Sequence, residues 1–214
     1  METEHIYVNG EDRSIDEILA AAEKYAAYQE FPEQEALRLR LLSEELLGLL
    51  SGITSDDYKA MFWIEGDKKT SRMHLNGKIV MTAQRREELL ETAKSGKNEA
   101  AVGIIGKLRD LIAESVLKMN EELPPDVGGM VPDYFGAGSE MLMSGVGPTM
   151  AWSLNAYRTA LEDGVIDLDK SDAFDKSEPW DELERSIIGN LADDVRVKIV
   201  GDDVEIVVVR SVGA

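Results

Sequence analysis

"VRVKIVGDDVEIVVVR" (Val195–Arg210) is the stretch on which the fold turns. Val195, Val197 and Ile199 alternate with Arg196 and Lys198, the two-residue period of a strand with one buried face. Gly201 and Asp202 interrupt the pattern, and a second, more apolar run follows. Glycine supplies the positive φ that a tight hairpin turn demands, so an antiparallel β-hairpin is expected here.

Just upstream, "WDELERSIIGNLADD" (180–194) has a helical period behind Pro179. Further back, "YKAMFWIEG" (58–66) and "TSRMHLNGKIVMTA" (70–83) look like two strands joined around "GDKK", and "HIYVN" (5–9) like a shorter one. Helical spacing fills the intervals. Ser14 and Glu17 form a capping box for "IDEILAAAEKYAAYQ" (15–29), Phe31-Pro32 stops that helix, and Pro32 opens another to about Ser51. Residues 84–123 are helical in two pieces divided at Ser95-Gly96, with Asn98 as N-cap of the second. "PTMAWSLNAYRTALED" (148–163) resumes a helix, and an acidic linker (164–178) follows. The expected fold class is α+β: a two-layer sandwich of a small mixed or antiparallel sheet with helices on one face and an additional helical segment. One domain spans residues 1–214.

Composition narrows the function classes. A net charge of −19 repels phosphodiester backbones and anionic lipid, so neither nucleic acid nor a membrane surface is an expected partner. Without cysteine there is no disulfide, thiolate metal site or cysteine nucleophile. With only His5 and His74 a multi-histidine metal site is not expected. The first residues show no basic and apolar leader pattern, and no apolar run approaches bilayer length, so a cytoplasmic protein is the expectation.

The candidate chemistry sits on "LRLRLLSEELLGLL" (37–50). At about 100° per residue, Leu39, Leu42, Leu46, Leu49, Leu50 and Ile53 form the core arc. Glu45 lies beside Arg38 at the edge of that arc and is expected to reach solvent. Glu44 shares the far side with Leu37, Leu41 and Gly48, a second apolar patch expected to be covered by protein or ligand. Gly48 costs the helix about 1 kcal/mol relative to alanine, which suggests a close approach there. Ser95, Gly96, Lys97 and Asn98 precede a helix whose free N–H groups favour an anion, although by themselves they read first as a helix break with an Asn cap. They are not a Walker A loop, because Leu108 follows Gly106-Lys107 and Ala101 occupies the first glycine position. His74 has no acidic or nucleophilic neighbour at useful spacing and is read as structural.

Ser14–Ile53 and Trp180–Arg210 together resemble the start and the end of the histidine-kinase-like (Bergerat, or GHKL) ATP-binding domain, in particular the bacterial anti-sigma-factor kinases. The resemblance implies ATP as ligand, a regulatory role exerted on a protein partner, and ATPase or serine/threonine kinase activity. Homodimerisation is in keeping with it. It places Glu44 at the glutamate of the N-box, the catalytic base, and Gly48 at the asparagine that holds magnesium. It adds Ser95, Gly96, Lys97 and Asn98 as phosphate contacts and residues 121–147, rich in proline and glycine, as a nucleotide lid. The chain departs from the family at two points. Gly48 has no ligand atom for Mg²⁺, and the adenine-binding D-x-G-x-G is represented only by "DVGGM" (126–130). A catalytically dead member acting as a protein-interaction module is therefore the alternative expectation.

Overall fold

The structure, a computed structural model, describes residues 1–8, 12–51, 59–78, 139–144, 147–162 and 186–212. The segment Ser95–Asn98, "DVGGM", the expected helices over 84–123 and the acidic linker lie outside the described residues.

Seven strands form one sheet: β1 (Ile6–Val8), β2 (Lys59–Gly66), β3 (Thr70–Lys78), β4 (Ser139–Ser144), β5 (Gly147–Ser153), β6 (Asp194–Val200) and β7 (Asp203–Ser211). Their spatial order is β1-β2-β3-β7-β6-β5-β4. Every neighbouring pair is antiparallel, so of the two expected arrangements the antiparallel one is present. Among the described residues, four helices accompany the sheet: α1 (Asp12–Tyr28), α2 (Glu33–Ser51), α3 (Leu154–Glu162) and α4 (Ile187–Leu191). The fold class is thus α+β.

Period-two burial sets the two faces of the sheet. Ala60, Phe62 and Ile64 of β2, Met73 and Leu75 of β3, Val204, Ile206 and Val208 of β7, and Val195, Val197 and Ile199 of β6 all point into one core. Ile18, Ala22 and Tyr25 of α1, Leu39, Leu42, Leu46 and Leu49 of α2, Leu154 of α3 and Ile188 of α4 meet them there. All four helices therefore cover the same face. The alternate residues, among them Trp63, Arg72, His74, Arg196 and Lys198, line the opposite face.

Turn chemistry fixes the hairpins. Gly66 takes φ 141°, and a Cβ there would lie 2.0 Å from the Thr70 carbonyl oxygen. Asp67 Oδ1 accepts from the Lys69 and Thr70 amides at 2.8 and 3.0 Å, which holds that carboxyl below its ordinary pKa. The β6–β7 turn uses Gly201 at φ 60°, as its sequence demands.

Three sequence expectations need correction. Helix α1 begins at Asp12, two residues before the expected cap, so Ser14 lies inside the helix and is buried. The segment 148–153 is strand rather than helix: Met150, Ala151 and Trp152 pair with Ile199, Lys198 and Val197 of β6, and Trp152 is buried. Helix α3 starts only after Ser153, whose Oγ accepts from the Ala156 amide, while Asp194 Oδ1 accepts from the Asn155 amide at 3.1 Å. Finally, the proline- and glycine-rich stretch is not wholly loop, since Ser139–Ser144 forms β4 and Gly147 opens β5.

Candidate functional site

Helix α2 carries the candidate carboxylates. Pro32 caps it, its carbonyl accepting from the Glu35 and Ala36 amides at 2.9 and 3.0 Å. Its buried stripe runs through Leu39, Leu42, Ser43, Leu46, Leu47 and Leu49. Ser43 is polar and fully buried, but its hydroxyl donates to the Leu39 carbonyl at 2.9 Å, so it enters the core satisfied.

The opposite stripe contains Leu37, Arg40, Glu44 and Gly48, and all four are exposed. Leu37 keeps 56% of its surface in water. Among the described residues, a Cβ added at Gly48 would meet nothing within 4 Å. Of the expected second patch only Leu41 is half-buried, while Leu37, Glu44 and Gly48 are exposed, and Gly48 marks no close approach to a described residue. Exposed leucines are ordinary, because burial of apolar residues is a one-way rule.

The two glutamates exchange the environments expected of them. Glu44 faces solvent, whereas Glu45 is half-buried at the border of the core stripe. Burial raises the Glu45 carboxyl above the usual glutamate range, and the neighbouring Glu44 charge adds to the rise. Arg38, one heptad back, does not neutralise it, because it is paired with Glu35. Arg40 is likewise engaged, by Glu23 of α1.

Other perturbed acids are structural. Glu35 is buried at the start of α2, where Arg210 of β7 reaches both of its oxygens at 3.2 Å. Arg210 also donates to the Leu191 carbonyl at 3.0 Å and lies 3.8 Å from Asp193. Burial alone would raise the Glu35 carboxyl, but Arg210 and then Arg38 outweigh it and hold the group below its ordinary value. Asp194 is lowered in the same sense: burial opposes ionisation, and Arg196, the Asn155 amide and Ser153 overcome it. Glu45 differs from both in having no cation beside it among the described residues.

A second cluster lies on the sheet face away from the helices. His5 and His74 stack on opposite sides of Trp63, each with ring centroids 4.6 Å apart. His5 Nε2 is 2.8 Å from Glu2 and His74 Nε2 is 3.3 Å from Glu65. The His74 contact lacks hydrogen-bond alignment, so it is an ion-pair distance only. His74 therefore does have an acidic neighbour, supplied across the strand pair, which local spacing could not reveal. The described residues contain no grouping of three or more His, Asp or Glu side chains able to hold a metal.

Chemically, α2 offers one half-buried carboxyl with a raised proton affinity beside one solvated carboxylate. That pairing suits proton transfer better than metal binding. At Gly48 there is no side-chain oxygen for Mg²⁺, so the residues present do not fit a magnesium site of the N-box type. The remaining candidates, Ser95, Gly96, Lys97 and Asn98, lie outside the described residues. No helix among the described residues is long and apolar enough to cross a membrane.

Comparison of the chain with protein-family models, with curated proteins and with solved structures gives no match in any of the three. What the fold and the site define is an antiparallel α+β domain with an acidic pair on its second helix.

Proposed function

We propose that the chain is a regulatory domain that binds a purine nucleotide, ATP, beside the Glu45 edge of α2 and acts through a protein partner. The observation that supports it is Glu45: a carboxyl half-withdrawn from water, raised in pKa by burial and by Glu44, with no cation beside it among the described residues. Such a group is poised to take a proton from a water or hydroxyl, the task of the N-box glutamate in the family that Ser14–Ile53 resembles. In this reading Glu45, not the solvent-facing Glu44, is the base for ATP hydrolysis or for phosphoryl transfer to a serine or threonine.

The second reading is a non-catalytic interaction module. The exposure of Glu44 and Gly48, together with the missing ligand atom at position 48, favours it.

Thermal unfolding with and without ATP separates the two. Ligand at roughly 100 times its dissociation constant adds about 2.7 kcal/mol, a shift of several degrees for a chain of this size. The nucleotide reading requires that shift in the wild type. It also requires Glu45→Gln to lose turnover while still binding ATP, and Glu44→Gln to retain turnover. No shift in the wild type or in either variant leaves the interaction module.

A further inference from the structure

We infer that the segment Met1–Val8, which ends in β1, is a pH-sensitive clasp whose hold on β2 tightens as His5 and His74 become protonated. Register builds the clasp. Ile6, Tyr7 and Val8 pair with Phe62, Met61 and Ala60. Further back, Glu2 pairs with Glu65, and the Thr3 amide donates to the Ile64 carbonyl at 2.9 Å. Glu4 and His5 therefore stand against the single residue Trp63, the two-against-one count of a β-bulge. His5 lies on one face of the indole, their planes 25° apart. His74, the cross-strand partner of Trp63, takes the other face at 6°.

Charge makes the stack switchable. The bridge sets Glu2 and Glu65 opposite one another on adjacent strands, where like charges repel. Each also stands beside an imidazole, Glu2 at 2.8 Å from His5 Nε2 and Glu65 at 3.3 Å from His74 Nε2. With both rings neutral, the stack offers the two carboxylates no counter-charge. With both rings charged, each carboxylate gains a cation and the indole gains one on each face.

Other charged groups face the stack. Glu4 sits in the bulge beside His5, Arg72 lies opposite Glu65 and two residues from His74, and Glu205 stands opposite Lys198. Arg196 is held 2.8 Å from Asp194. Arg72 opposes a charge on His74, but the carboxylate contacts and the indole face favour one. The rest of the hold is local: Val8 in the core and backbone hydrogen bonds to β2. Segments so lightly secured open well below the cost of global unfolding. Opening bares the outer edge of β2, Lys59–Gly66.

Hydrogen exchange on the full chain tests the clasp. Corrected for intrinsic rates, protection of residues 3–8 should rise roughly tenfold from pH 8 to pH 5.5, since each indole face gains a cation. Core amides of β6 and β7 serve as the reference and should not follow. His5→Gln should cut the rise to roughly threefold, with one cation left on the indole. His5→Gln/His74→Gln should abolish it. The single variant alters an exposed side chain, so the comparison stands even if the double variant does not fold. Flat or falling protection in the wild type would overturn the inference. So would the full rise in His5→Gln, or an equal rise in the β6 and β7 reference.

Discussion

Replacing Glu35 by methionine tests the strongest long-range tie between the helix layer and the sheet. Glu35 retains 8% of its surface, and the Arg210 side chain 16%. Removing the carboxylate strands a guanidinium that, among the described residues, keeps the Leu191 carbonyl at 3.0 Å and Asp193 at 3.8 Å. Breaking a buried pair from one side costs about 3–5 kcal/mol, and the two surviving contacts place this case near 3. Arg38, 30% exposed, turns to water and adds less than about 0.5 kcal/mol. At about 2–4 °C per kcal/mol for a chain of this length, Tm should fall by roughly 6–12 °C at pH 7.

The pH dependence has a definite sign. A carboxyl held below its unfolded pKa stabilises the fold above about pH 4.3, and that contribution disappears as pH falls through the folded value. The gap in Tm between wild type and Glu35→Met should therefore close progressively below pH 4.3. The double variant Glu35→Met/Arg210→Met should recover most of the loss, short by about 1 kcal/mol for the Leu191 carbonyl left without its donor. Urea unfolding monitored by circular dichroism reads all of this. A single-variant cost under about 1 kcal/mol, or a gap that stays constant from pH 7 to pH 3, would refute the reasoning.

Two further substitutions should stabilise the chain. Helix α1 ends in a Schellman turn, with Phe31 N–H bonded to Ala26 O and Glu30 N–H to Ala27 O, and Glu30 occupies its left-handed position at φ 60°. Glu30→Gly should raise the urea midpoint, because glycine takes the left-handed φ without strain and the pair lost with Lys68 is exposed to solvent. Gly48→Ala should gain up to about 1 kcal/mol in the same assay, because the position is helical and its Cβ has room among the described residues. A loss there would mean that the glycine is needed for a close approach after all.

Much of the fold was legible because it is written locally. The hairpins at Gly66 and Gly201 announce themselves by two-residue periods around turn residues, and Pro32 marks the boundary between the first two helices. Long-range pairing leaves no such mark. Nothing near Thr70–Lys78 says that its second partner is Asp203–Ser211, nor that Glu35 will meet Arg210. The segment 148–153 does not declare itself a strand, because Met150, Ala151 and Trp152 suit either structure and only the β6 ladder decides between them. On α2 the helical wheel places Glu44 opposite the core and Glu45 at the edge of the core stripe, as found, but it does not fix their exposure: Leu37 is exposed and Leu41 half-buried, and leucines opposite a core do not by themselves imply a cover.

The strand order also has a consequence for how the chain folds. β1, β2 and β3 are contiguous in the sheet, as are β4, β5, β6 and β7, so the two halves of the chain each supply one block of strands, built around the β2–β3, β4–β5 and β6–β7 hairpins. The two are zipped along one seam, from Thr70 against Ser211 to Lys78 against Asp203. Contacts across so long a stretch of chain close late, after the local ones have formed. Until then Met73 and Leu75 on one side, and Ile206 and Val208 on the other, belong to open strand edges, the state in which a β protein is most easily captured by another chain.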